Sequence, residues 1–264
     1  MREIFKSLWN YKNFILGMVK RDFKSRYLNS VLGSVWSVIQ PLAIILVYTL
    51  IFSQIMGARL PGENNTLAYS IYLCAGLLPW NYFNETLLRL QSVFLDQGSL
   101  LKKVSFPRTS LPIFIVISVT INFVIISTLY IIFLLFIGRL PGWEIFNVVP
   151  LLFIQQLFAL GLGLIVGTLN VFFRDVGHFL GIVLQFWSWL TPIVYAKSIV
   201  PESMQGIYKW NPMVPITEGF HSIFLYNKAP NYSSLLPVIL ISIALLLIAY
   251  YTFKKLDKEM VDEL

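Results

Sequence analysis

Apolar residues in this chain gather into six long runs separated by short polar breaks. They cover roughly Val31–Met56, Leu67–Leu95, Ile113–Ile137, Val148–Phe173, Gly177–Ala196 and Leu235–Phe253. A helix needs about 20 apolar residues to cross the hydrocarbon core of a bilayer. Backbone polar groups at that depth must find partners inside the protein, and a helix satisfies them within one segment. The pattern predicts an all-α integral membrane protein with six transmembrane helices. Spans and short loops use nearly the whole chain, which leaves no room for a separate soluble domain. No Gly-rich loop ending in Gly-Lys-Ser/Thr is present, so a nucleotide-binding module is not expected here.

Before the first run the pattern changes. From Ile4 to about Tyr27, Phe5, Leu8, Trp9, Phe14, Ile15, Met18, Val19 and Phe23 alternate with basic and polar residues at helical spacing. This predicts an amphipathic helix lying in the headgroup region. The chain then divides into an interface segment, 1–30, and a transmembrane domain, 31–264. The helix is either a plain surface anchor or one wall of a lateral entrance for a membrane-borne substrate.

Polar residues inside the runs mark the exceptions. Gln40-Pro41 predicts a kink near Ile39, because proline removes a helical hydrogen bond. Glu85 and Arg89 stand four apart on one helix face and can pair. At that depth they face either other helices or a watery route, not acyl chains. Gly161, Gly163 and Gly167 let helices approach closely in lipid. The fifth run breaks at Thr191-Pro192. Between the second and third runs, Leu100 to Phe106 reads as one or two helical turns stopped by Pro107, with apolar and basic faces that suit docking into a soluble partner. Lys197 to Ser234 is apolar but interrupted by prolines. It predicts two short helices, about Pro201–Trp210 and Pro215–Tyr226, that re-enter the outer leaflet.

Of the 264 residues, 57% are hydrophobic and 12% charged, about half the charged share usual in soluble domains. The net charge of +7 is distributed by side: fourteen Lys and Arg fall on the face holding both termini, and five on the other. Cytoplasmic loops carry such an excess, so both termini are expected in the cytoplasm, and membrane topology explains the charge better than nucleic acid does. Cys74 is the sole cysteine, so no intrachain disulfide is available. His178 and His221 lack companion ligands, which leaves a metal site without support. No cleavable signal peptide is expected, because the first apolar run is too long for a signal core.

Several stretches resemble one family in order and in placement. They are 20–27 (KRDFKSRY), 32–36 (LGSVW), Gln40-Pro41, 75–80 (AGLLPW), 167–175 (GTLNVFFRD), 191–195 (TPIVY) and 210–213 (WNPM). Taken together the chain resembles the transmembrane subunit of ABC-2 type exporters, specifically the Wzm-like permeases for O antigen, capsule or teichoic acid. The resemblance implies a homodimer in the bacterial inner membrane, docked to two copies of a cytoplasmic ABC ATPase that holds ATP and Mg, with no cofactor in this chain. It implies a polysaccharide cargo carried on undecaprenyl diphosphate, and a transport subunit without a catalytic site of its own.

The same resemblance distributes roles. Leu100, Leu101, Lys102, Lys103, Val104, Phe106 and Arg108 fall in a coupling helix, 100–108. Pro201, Tyr208, Trp210, Asn211, Pro212 and Phe220 fall in a periplasmic gate segment, 201–226. Lys20, Arg21, Lys24 and Arg26 would face the carrier diphosphate, with Arg89 a more remote candidate, because guanidinium and ammonium groups pair with phosphate oxygens. Tyr48, Trp80, Tyr82, Phe83, Trp187, Trp189 and Tyr195 would offer ring faces to passing sugars, or else serve as ordinary filler between helices. Glu85 with Arg89 is either a structural pair or a contact to cargo. Rival readings are a teichoic acid or capsular exporter, an ABC-2 drug or lipid exporter, a membrane-embedded enzyme built around Glu85, and a structural assembly subunit.

Overall fold

The computed structural model describes residues 9–26, 35–51, 66–103, 106–256 and 259–263. Its elements are α1 (Lys12–Arg26), α2 (Trp36–Tyr48), α3 (Thr66–Asp96), α4 (Gly98–Lys103), α5 (Ser110–Phe136), α6 (Val148–Phe172), α7 (Asp175–Trp189), α8 (Glu202–Trp210), α9 (Met213–Phe224), α10 (Tyr232–Leu256) and α11 (Glu259–Glu263). Short 3-10 turns occupy Trp143–Asn147 and Lys197–Ile199. Among the described residues no strand occurs, so the all-helical class stands.

Three helices are long and apolar enough to cross a membrane: Ser110–Phe136, Trp143–Phe172 and Tyr232–Leu256. The other expected spans differ. Helix α3 has 31 residues, about 46 Å of helix, but Asn81, Asn84, Glu85, Arg89 and Gln91 dilute its apolar character. The expected fifth span, Gly177–Ala196, is corrected to a 15-residue α7. At about 22 Å it falls short of a hydrocarbon core of about 30 Å. The cause is Pro192, which has no N–H to continue the helix and disfavours helical geometry at Thr191. Helix α2 continues through Pro41 to Tyr48; the beginning and end of the first expected span lie outside the described residues.

Helix α6 is the centre of the bundle, packed between α3 and α10. Glycine makes the α3 contact possible. A Cβ at Gly163 would sit 2.6 Å from Leu90 Cδ1, and one at Gly167 would collide with the Leu90 carbonyl oxygen. Polar bonds pin the same seam on either side. Gln155 Nε2 donates to the Pro79 carbonyl at 2.6 Å, and Asn170 Nδ2 donates to the Gln91 carbonyl at 3.1 Å. Lipid offers no hydrophobic drive for helices to associate, so close packing and such bonds hold them together.

Burial is periodic where hydrophobicity is not. In α10, Leu235, Val238, Ser242 and Ala249 are buried along one stripe, while Leu236, Leu240, Ile243 and Leu247 are exposed. An apolar exposed face is what a helix shows to acyl chains.

Replacing Gly167 with Val should therefore lower the melting temperature of the detergent-purified protein, by overpacking worth about 1–3 kcal/mol. Gly181→Ala, where a Cβ meets nothing within 4 Å, should leave it unchanged or slightly raised. Equal melting temperatures for the two variants would refute the close seam.

Candidate functional site

At one end of α3 the chain gathers most of its polar chemistry. Arg89 Nη2 donates to Asp22 Oδ1 at 2.7 Å, and Arg89 Nη1 stands 3.7 Å from Glu85 Oε1. Asn122 Nδ2 donates to Glu85 Oε2 at 2.9 Å. The expected Glu85–Arg89 pair is present, but its tighter bonds go elsewhere, to Asp22 on α1 and Asn122 on α5. Sequence reasoning missed both partners. The available signal was Asp22 itself, the single carboxylate within α1 among Lys12, Lys20, Arg21, Lys24 and Arg26.

Helix α1 turns Ile15, Met18 and Val19 inward, and Phe14 lies 4.8 Å from the Phe106 ring. This amphipathic seating leaves Lys20, Arg21 and Lys24 exposed. The Arg26 side chain lies outside the described residues. Arg21 Nη2 donates to Gln97 Oε1 at 3.0 Å, tying α1 to the residue just before α4.

Helix α4 starts earlier than expected. It covers Gly98–Lys103, and Phe106 to Thr109 form a turn around Pro107 rather than further helix. Leu100, Leu101 and Phe106 pack against the core, Arg108 is half-buried, and Lys102 and Lys103 are exposed. Val104 lies outside the described residues. Helix α11 packs against both α4 and α6, with Met260 buried, a contact the basic tail gave no hint of.

The aromatic candidates separate into two groups. Trp80, Tyr82 and Phe83 are buried inside the bundle. Phe83 stacks on Phe158 at 5.6 Å and meets Trp187 edge-on at 5.4 Å, while Trp80 lies 5.7 Å from Phe83. Tyr82 shares a 2.9 Å hydroxyl bond with Thr120. Such packing makes these rings interhelical contacts within the chain, and Phe158 is a member that sequence reasoning missed. Trp189, by contrast, is 65% exposed. The Tyr48 side chain lies outside the described residues.

At the other end of α3, Asn211 holds four groups together. Its Oδ1 accepts from Trp187 Nε1 at 2.8 Å and from the Met213 N–H at 3.0 Å. Its Nδ2 donates to the Leu190 carbonyl at 3.0 Å and to Thr191 Oγ1 at 3.1 Å. The break after α7 and the start of α9 are thus locked by one buried side chain. Of the other expected gate residues, Pro201 is exposed at the start of α8 and Pro212 caps α9. Trp210 is 86% exposed, and Phe220 is buried against Phe224. Tyr208 shares a 3.0 Å hydroxyl bond with Tyr195. An open apolar trough of about 500 Å³ runs along α7 and α8, lined by Phe179, Phe186, Leu190, Ile207 and Trp210.

Buried His221 stacks on Tyr72 at 3.7 Å, and its Nε2 lies 3.1 Å from the Tyr72 carbonyl. A carbonyl only accepts, so Nε2 carries the proton. Among the described residues no three His, Cys, Asp or Glu side chains converge as metal ligands.

Residues 14–225 match the model of the ABC-2 type transporter family. The chain belongs to that family. The matched region begins in α1 and ends after α9, so it takes in the Arg89 network, α4 and the Asn211 lock. The permease is 29% identical to an O-antigen export system permease protein RfbA of Myxococcus xanthus over the full length of both chains. It is 31% identical to a protein of the same name from Klebsiella pneumoniae, over 92% of each. Similarity extends to the polysialic acid transport protein KpsM of Escherichia coli, 23% identical over 75% of this chain and 76% of that one.

Two outcomes are expected from these contacts. Asp22→Asn and Arg89→Gln should each destabilise the permease, and their combination should cost less than the sum, with a coupling of about 0.5–3 kcal/mol in a double-mutant cycle read by thermal unfolding. Strict additivity would dissolve the α1–α3 link. Asn211→Ala should cost about 1–3 kcal/mol by leaving buried polar groups unpaired, and limited proteolysis should then cut between Leu190 and Met213 faster than in the parent.

Proposed function

We propose that this chain is the permease subunit of an ATP-driven exporter that carries a polysaccharide, O antigen, across the bacterial inner membrane on undecaprenyl diphosphate. The observation that carries the reading is the 31% identity to an O-antigen export permease across 92% of both chains. Two protomers would enclose the passage, with both termini in the cytoplasm as the Lys and Arg distribution favours. ATP and Mg would belong to a separate ATPase, two copies of which dock on α4.

The geometry supplies a mechanical route for this subunit. Leu100 and Leu101 anchor α4 in the bundle while Lys102 and Lys103 face outward for the partner. A displacement of α4 would reach α1 through Arg21–Gln97 and α3 through Asp22–Arg89. Exposed Lys20, Arg21 and Lys24, together with Arg26, would attract the carrier diphosphate at headgroup level. The exposed rings of Phe179, Phe186, Trp189 and Trp210 would give the sugar chain apolar faces along its path, with Tyr195 and Tyr208 beside the exit. No covalent step falls to this chain.

Similarity to KpsM favours a second cargo, a capsular polymer, on the same machinery. Reconstitution separates the outcomes. Vesicles holding the permease and its ATPase should take up lipid-linked polymer into a compartment closed to added glycosidase, and only with ATP. Reversing the charge of Lys102 and Lys103 should reduce uptake and permease-stimulated ATP hydrolysis together while protein abundance stays constant. A pair that hydrolyses ATP in response to the permease yet moves neither polymer would overturn the proposal.

A further inference from the structure

A polar cavity of about 540 Å³ opens between the 3-10 turn at Lys197, α9 and the start of α10. Tyr72 in its wall and Asp96 at the far end of α3 are separated by about 36 Å of helix, so the cavity stands at the opposite end of the bundle from α4. It is also separate from the trough along α7 and α8.

Tyr72 in the wall is held from two sides. Its ring stacks on His221, and its one hydroxyl proton is shared between the carbonyls of Pro192 and Tyr195 at 3.1 and 2.9 Å. The rim is polar. Lys197 Nζ and Glu218 Oε1 pair at 2.7 Å with both side chains partly open to solvent. Ser222 Oγ donates to the Glu218 carbonyl and Ser234 Oγ to the Asn231 carbonyl, so each hydroxyl offers the cavity its acceptor lone pairs. Asn231 Oδ1 accepts from the N–H and hydroxyl of Ser233, which leaves its amide nitrogen as a donor. Tyr226 contributes a half-exposed ring.

Donors and acceptors therefore share one cavity with the Tyr226 ring, and this mixture selects the ligand. An anion only accepts and would meet Glu218, Ser222 and Ser234. A cation only donates and would meet Lys197. A vicinal pair of sugar hydroxyls does both, donating a hydrogen bond to the Glu218 carboxylate and accepting one from the Lys197 ammonium, in charge-assisted bonds. The cavity is concave with a few convergent polar groups, as small-molecule sites are.

We infer that the Lys197–Glu218 cavity is a binding subsite for a neutral sugar unit at the end of the permease remote from α4. The inference deepens the polysaccharide reading and rests on it. The subsite would hold emerging sugars beside the exit and disfavour their return.

The test uses the full chain in lipid nanodiscs. The probe is short oligosaccharides hydrolysed from the source cell's own surface polysaccharide, titrated by saturation-transfer NMR with inorganic phosphate as competitor. Saturable binding is expected, weakened at least about tenfold by Glu218→Gln and by Tyr226→Ala, and unaffected by phosphate. Tyr226 lies outside the core, so its variant keeps the test decisive if E218Q unfolds. Absence of binding, binding indifferent to both folded variants, or displacement by phosphate would each overturn the subsite. A permease that exports polymer in vesicles but binds no oligosaccharide defeats this inference alone, whereas one that exports no polymer defeats the reading beneath it.

Discussion

The close passage of α3 over α6 at Gly163 and Gly167 is the contact on which the rest of the structure depends. With no Cβ at these two positions of α6, the Leu90 side chain closes on Gly163 and the Leu90 backbone on Gly167, to separations that a Cβ would forbid. That proximity places the Pro79 carbonyl within reach of Gln155 and the Gln91 carbonyl within reach of Asn170. It also stacks Phe83 on Phe158. In a bilayer the surrounding lipid is as apolar as the helices, so an interface must win by fit and by hydrogen bonds inaccessible to lipid. Both are concentrated along this seam.

From that seam the polar side chains of α3 project toward their neighbours. Glu85 meets α5 through Asn122, and Arg89 meets α1 through Asp22. Each group is expensive in hydrocarbon, and each is held in a charge-assisted bond. The result is a connected set of helices rather than a single ion pair. Arg21 and Gln97 extend the connection to the residue just before α4. At the other end, Asn211 does comparable work within the irregular segment, binding the close of α7 to the opening of α9.

Many of the local features were legible in the chain itself. The Glu85–Arg89 spacing announced a pair, the Leu100–Lys103 alternation announced a two-faced turn of helix, and the prolines at 201, 212 and 215 announced two short helices near their observed positions. Other features had no such signal. Trp80, Tyr82 and Phe83 look in sequence like any aromatic residues near an interface, and their burial came from Phe158, Thr120 and Trp187 on other helices. Met260 lies in a short charged tail, yet it is buried where α11 meets α4 and α6.

What the sequence determined by itself was the solvent and the local geometry: apolar runs demand lipid and helix, proline ends helices, and glycine permits close approach. These are properties of a residue and its near neighbours, so they need no knowledge of the remaining chain. The tertiary structure alone decided which partner each polar or aromatic side chain takes. It chose Asp22 over Glu85 as the nearer partner of Arg89, and it formed a polar cavity from residues far apart in the chain. In a helix that is apolar on every side, hydrophobicity carries no record of which face turns inward, and only contact with the other helices resolves it.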